Sequence, residues 1–265
     1  PADIKQLVGS PTEDIIVATT SNGSGTTDLY VYKYFWRGNE RVQSAWSRFT
    51  FQDDIVNAFF IESDLYLVTE DGTNTHLEKM SLESGLVDTG ESYAIHLDKR
   101  RAVSGLSPSY DSGTDKTTII AGYPIANAEV WSQGGTKATK DASSTGNTIV
   151  VNGDYSGSPT EAYVGIPYTA SVTLTRPTVK QSADGNGRSV SGYSHQIVRN
   201  GSIEYANTGH FKVSVATKFR SSYEHIFNAN ILGANTLLGQ LVLQDGTFQF
   251  PVYANVNDIT VTITS

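Results

Sequence analysis

The chain has 265 residues, with 19 Lys and Arg against 27 Asp and Glu, so its formal net charge is −8. That balance argues against a free-standing nucleic-acid binder, which draws much of its affinity from clustered cations on phosphates. The absence of cysteine excludes disulfides, thiolate metal centres and thiol catalysis, and no stretch has the roughly 18 apolar residues of a membrane-spanning helix.

The predicted elements are strands throughout. Period-two alternation recurs at Leu29, Val31, Lys33, Phe35; at Tyr168, Ala170, Val172, Leu174; at Phe211, Val213, Val215; at Phe248, Phe250, Val252; and at Ile259, Val261, Ile263. No clean 3.6-residue stripe competes with it, and a single Met beside 14 Tyr and 24 Gly fits pleated surfaces and turns better than helices. Turn signals separate the runs: SNGSG from Ser21, RGN from Arg37, EDGTN from Glu70, ESG from Glu83, SQGG from Ser132, ADGNG from Ala183, RNGS from Arg199 and QDGT from Gln244. The expected fold class is all-β, a sandwich, barrel or propeller. Three regions separate by composition: residues 1–90, rich in aromatics, as successive hairpins; residues 91–155, rich in Gly, Ser, Thr and Asp, as loop-rich connecting or inserted hairpins; and residues 156–265 as a second β-domain. The chain opens on Pro1 and stops in the alternating run Ile259–Ser265, so it reads as a piece of something longer.

No nucleophile-elbow serine motif and no glycine-rich phosphate loop occurs. The five histidines, His76, His96, His195, His210 and His225, include no pair spaced to bind a metal on one face, so each is expected solvated or singly hydrogen-bonded; no metal and no cofactor is expected. Among the carboxylate pairs, Glu62 and Asp64 share a face if their strand is regular, which would suit a glycan-cleaving acid and base; beside a predicted turn, the stronger reading is that they cap and solvate it. DSGTD (Asp111–Asp115) and ADGNG (Ala183–Gly187) have oxygen-rich composition without calcium-loop spacing and read as hairpin turns. The cationic cluster Asp98, Lys99, Arg100, Arg101 is either a solvated turn or a set of interface ion pairs. Asn22 and Asn200 head glycosylation sequons, but Asn-Gly is also a hairpin signal.

Alternation places Tyr30, Tyr32, Tyr34 and Trp36 on one face of one strand, with Trp46 in the next. The opposite face, Leu29, Val31 and Phe35, is also apolar, and a strand apolar on both faces is expected to be buried on both. The strip is therefore a candidate packing or assembly surface; as an exposed ladder it would stack on sugars.

The stretch Leu29–Phe51 (LYVYKYFWRGNERVQSAWSRFTF) resembles a hairpin of the tail tubular protein B family, the tail nozzle proteins of short-tailed, podovirus-type bacteriophages. Four further stretches resemble the family in the same order: Phe59–Glu70, Ile95–Val103, Tyr163–Gln181, and Tyr205–Val215 continuing to Gly246–Ile263. The resemblance implies a virion tail component in six copies, with incomplete propeller-like hairpins and a β-sandwich-like platform, around a channel that conducts DNA without binding it specifically. It further implies contacts with the upper tail tube or adaptor and with tail fibres, no catalytic residues, and a chain that is an internal to C-terminal part of a longer protein. Two other readings stand beside it: a carbohydrate-binding or glycan-degrading tail module using the aromatic strip with Glu62 and Asp64, and a soluble β-adhesin.

Overall fold

Alternating apolar residues bury a continuous face only in extended backbone, and strands are what form. The computed structural model describes residues 3–21, 27–82, 95–132, 135–157, 162–176, 180–181, 189–190, 196–229 and 242–265. Among these the fold is all-β and every sheet is antiparallel, with 3-10 turns at Val103–Leu106 and Val256–Asp258 as the helical elements. No helix among the described residues is long and apolar enough to cross a membrane. The chain divides into two compact units, Pro1–Val87 and Asp88–Ser265.

The first unit holds two sheets. Strands β1 (Asp3–Gly9), β2 (Ile15–Ser21), β3 (Thr27–Arg37) and β4 (Glu40–Phe51) form a four-stranded meander, and β5 (Asp54–Ile61), β6 (Asp64–Glu70) and β7 (Thr75–Ser81) a three-stranded one. Their inner faces meet in one cluster, with Ile15, Val17, Leu29 and Val31 from the first sheet and Ile55, Ala58, Leu65 and Leu67 from the second. Polar clips fix the edge. The Gln6 side-chain amide accepts from the Ala58 N–H (2.8 Å) and donates to the Ala58 carbonyl (2.9 Å), behaving as an added strand residue just past the irregularity of β5 between Ile55 and Asn57. Lys5 Nζ (2.8 Å) and Thr27 Oγ1 (2.7 Å) both donate to Asp54, and they hold its carboxyl below the usual range, Lys5 foremost.

The second unit begins with a two-sheet body made of β8 (Asp98–Ala102), β9 (Ser109–Asp111), β10 (Lys116–Ile120), β11 (Glu129–Ser132), β12 (Thr148–Asn152) and β13 (Ala162–Ile166), in the orders β12-β10-β9 and β11-β13-β8. The segment around Ala138 joins the sheets, its N–H donating to the Val130 carbonyl (2.8 Å) while the Asn152 N–H donates to the Thr139 carbonyl (3.1 Å). Between them lie Val103, Ile119, Val130, Ile149, Val151 and Val164, all nearly inaccessible. Residues expected as loop-rich connecting hairpins thus contribute a packed core, and β13, beyond residue 155, pairs with β8 and β11. The polar composition that reads as loop is spent on tight turns between short strands. Asp111, Asp141 and Asp154 each accept a backbone N–H two residues on, from Gly113, Ser143 and Ser156.

The rest of the unit is a sandwich. One layer has the order β14-β21-β18-β19, from β14 (Ser171–Thr173), β18 (His210–Thr217), β19 (Arg220–Asn228) and β21 (Ile259–Thr264); the short β15 (Lys180–Gln181) and β16 (Ser189–Val190) pair separately. The other layer is the long ribbon of β17 (Ile197–Thr208) and β20 (Gln244–Asn255), whose Phe250 and Val252 pack on Phe211, Val213 and Val215. RNGS and QDGT, expected as turns, lie inside these two ribbon strands. Each glycine sits opposite an aromatic residue, Gly201 across from Phe250 and Gly246 across from Tyr205. A Cβ on Gly201 would stand 2.2 Å from Phe250 Cζ, and one on Gly246 3.0 Å from the Tyr205 hydroxyl. The glycines serve close approach of a ring rather than chain reversal. The signals at Glu83 and Ala183, and most of that from Ser21, fall outside the described residues.

Replacing Gly201 with Ala is expected to destabilise by about 1–3 kcal/mol, the overpacking range. Urea unfolding measures it, and the cost should vanish in a Phe250→Ala background; an equal cost in both backgrounds would show that the ring is not the obstacle.

Candidate functional site

The aromatic strip follows from the register of β2, β3 and β4. Tyr30 pairs with Ala18 and Arg48, Tyr32 with Ile16 and Trp46, and Tyr34 with Ser44. The Tyr32 ring lies 4.7 Å from that of Trp46 and 5.6 Å from that of Tyr34, close enough for favourable offset contacts. Leu29 and Val31 point the other way, into the core. Burial on both faces, the expectation for this strand, holds on that side only: Tyr30, Tyr32 and Tyr34 are half-buried, while Trp36 is 48% and Trp46 62% exposed. Trp46 lies on the edge strand β4, and for Trp36 the reason is length. Pairing with β2 stops at Lys33, so the last residues of β3 form an overhang with β4 alone, carrying Phe35 and Trp36 into solvent. The register also sets Leu7 beside Ala18 and Ile4 beside Thr20, extending the apolar face across β1. Sequence reasoning missed both, because the irregularity between Ile4 and Gln6 breaks the simple alternation of that strand.

Glu62 and Asp64 are not on one strand. Ile61 pairs with Asp64 across a two-residue turn, and Glu62 occupies that turn with φ of 55°. The Glu62 carbonyl accepts from Thr12 Oγ1 at 3.1 Å, and the Asp64 carboxylate lies 2.6 Å from Lys79 Nζ. The shared face expected of the pair is thus replaced by a hairpin turn with an ion pair.

Asp98, Lys99, Arg100 and Arg101 form strand β8 rather than a turn. The strand is bulged, with Lys99 at φ of 50° where the pairing shifts between Val164 and Ile166. Lys99 Nζ lies 5.8 Å from the centre of the Tyr123 ring, the Arg100 guanidinium 4.9 Å from that of Tyr163, and Arg101 donates to the Ala121 carbonyl at 3.0 Å. Lys99 and Arg100 thus face aromatic rings of the same body, and Arg101 a backbone carbonyl.

His76, His96 and His225 and the DSGTD turn make contacts within the fold. His76 donates to Asp71 at 3.0 Å, and the backbone N–H groups of Asn74 and Thr73 donate to the same carboxylate, so its pKa is held well below the ordinary range, His76 first. His96 meets the Tyr168 ring edge-on, and His225 lies among the rings of Tyr223 and Phe250. His195 lies outside the described residues. DSGTD closes the hairpin of β9 and β10, with Asp115 accepting from the Tyr110 hydroxyl. Among the described residues no three metal-binding side chains converge.

Two measurements check this arrangement. Leu29→Ala should cost about 2–5 kcal/mol, as for a large-to-small core change, while Trp36→Ala should cost under about 1.5 kcal/mol, the scale of one aromatic contact; equal losses in chemical denaturation would contradict the one-sided burial. Because the Asp71 pKa is depressed, its stabilisation is complete above the unfolded carboxylate value, about 3.9, and is lost as pH falls below it. Asp71→Asn should therefore flatten the acid limb of a Tm-against-pH profile, and a difference from the parent that stayed constant from about pH 7 to 2 would contradict it.

A family model described as bacteriophage nozzle protein matches residues 1–265. The chain is similar to the tail tubular protein gp12 of Escherichia phage T7, 25% identical over 279 residues that cover all of this chain and 34% of that protein. It spans about a third of the length of that relative.

Proposed function

The chain belongs to the bacteriophage nozzle protein family, and we propose from that premise that it is a structural segment of a tail nozzle, six copies of which surround a channel that conducts DNA during ejection. Family membership makes it a component of the virion's tail. The observation that carries the finer reading is the family match along the whole chain rather than over one module. The two sheets of residues 1–90 are read as part of a propeller, since consecutive blades stack face to face as these sheets do. The sandwich within residues 156–265 is read as the platform, and residues 91–155 supply most of the two-sheet body that precedes it in the chain. Neighbouring copies, the upper tail tube or adaptor, and tail fibres are the partners. The exposed end of the strip at Trp36 and Trp46, and the cations at Lys99, Arg100 and Arg101 with Asp98, are offered as assembly contacts.

The channel is read as passive. DNA carries one charge per roughly 1.7 Å of axis, and a basic wall would hold it. A net charge of −8 on every copy suits a wall that repels instead. No step needs a nucleophile, a metal or a positioned proton acceptor; Asp64 is occupied by Lys79, and Glu62 sits in a turn. The exposure of Trp36 and Trp46 favours one second reading, a glycan-binding surface on the tail.

Electron microscopy of the full-length protein or parent particle should show a sixfold ring with an axial hole. Exchanging lumen-facing Asp and Glu for Lys should slow DNA release at low salt and recover in part at high salt, as the Debye length falls from about 30 Å at 0.01 M to about 3 Å at 1 M. Glycan hydrolysis abolished by Glu62→Gln or Asp64→Asn, with the fold retained, would overturn the passive reading.

A further inference from the structure

The turn between β18 and β19 is two residues long, Lys218 and Phe219, closed by Thr217 opposite Arg220. Such turns ordinarily carry Gly, Asn or Asp, whose backbones and short polar side chains suit reversal and solvent. Here the tip is a phenylalanine that is 78% exposed, with Lys218 Nζ 5.3 Å from its ring centre.

A second exposed ring is fixed to the same end of the sandwich. Tyr253 is 61% exposed and has φ of 45°, a left-handed conformation uncommon for a bulky residue. It lies where β20 bulges between its pairings at Pro251 and Ala254, which frees carbonyls from the ladder. Side chains of β19 take them up: the Arg220 guanidinium donates to the carbonyls of Tyr253 and Val252, and the Tyr223 hydroxyl to that of Val252 at 2.6 Å. The Lys218 N–H donates to the Asp258 carbonyl at 3.0 Å, anchoring the turn to the segment before β21. Backbone strain held this firmly by surrounding bonds occurs where a structure needs a side chain in one place. The bonds fix the backbone that carries two aromatic rings in solvent, the form of an interface anchor, because little backbone freedom is left to lose on docking.

We propose that this aromatic tip inserts into a recess of a neighbouring copy of the same protein, a recess apolar within and rimmed by carboxylates. Charge selects the occupant. The tip carries Lys218 and Arg220, whereas each copy has an excess of eight acidic residues. A tip on one subunit meeting a different surface on the next is a heterologous contact, the kind that closes rings. The inference rests on the ring reading above, and the experiment separates the two.

Full-length protein with benzoylphenylalanine in place of Phe219 is irradiated in the presence and absence of DNA, and the linked peptides are mapped. The expected result is a ladder of cross-linked copies joined through Asp- or Glu-bearing peptides. Phe219→Ser and Lys218→Glu should each lower the assembled fraction at fixed concentration by tenfold or more, with the circular dichroism of the subunit unchanged. Cross-links to DNA alone, or rings that form undiminished in both variants, would overturn the inference and leave the ring reading standing. Cross-linked copies without a sixfold ring in the parent would do the reverse.

Discussion

Antiparallel sheets with an apolar face must be covered, and that constraint organises this chain at every scale. Within the first unit one sheet covers the Leu29 and Val31 face of the other, and within the second unit the β17–β20 ribbon covers Phe211, Val213 and Val215. Apolar transfer at roughly 25 cal/mol per Å² is the driving force in each case. Elsewhere apolar side chains of the first sheet stay in solvent, as at Trp46, Leu7 and Ile4. On the reading proposed above, such exposed apolar residues are what assembly would cover.

Covering faces leaves polar groups to be satisfied, and the chain does so with side chains at irregularities. The Gln6 amide takes both backbone groups of Ala58, Arg101 takes the Ala121 carbonyl, and Arg220 with Tyr223 takes the carbonyls freed by the β20 bulge. These are long-range bonds between elements far apart in sequence. Each costs little where it replaces a water-bonded carbonyl and much if the buried group were left bare. They also explain why left-handed backbone recurs at Lys99 and Tyr253: bulges strengthen local twist and re-aim side chains, and neighbouring bonds retain them.

How much was legible in sequence depended on whether the signal was local. Alternation is local, so the all-β class and the strands at Leu29, Phe211, Phe248 and Ile259 could be read directly. The five ordered stretches that resemble the nozzle family were equally direct, and the family match spans the whole chain. Glycine was ambiguous, because a turn and a close approach demand the same absence of Cβ. Gly38 lies in a turn, whereas Gly201 and Gly246 lie under aromatic rings from a strand some forty residues or more away. The polar stretch from Ser107 to Asn147 misled for a related reason: its Asp and Ser residues stabilise turns, and the short strands between them bury at most two side chains each. The aromatic strip was legible as a strip, but its exposure was not. That depends on β2 ending before β3 does, a matter of relative strand length with no residue of its own.

The distribution of charge follows the same logic as the faces. Cations in this chain are largely committed: Lys5 to Asp54, Lys79 to Asp64, Lys116 to Asp141, Lys212 to Glu224, and Arg100 to a tyrosine ring. Exposed pairs of this kind add little stability, but pairing on the subunit's own carboxylates lowers the capacity of those cations to hold a passing polyanion. With 19 cations against 27 carboxylates, the chain as a whole carries an acidic excess. On the reading proposed above, a wall for DNA transit would have to be rigid and non-adhesive at once, and a fold built from paired sheets, bonded bulges and lysines paired with its own carboxylates suits both demands.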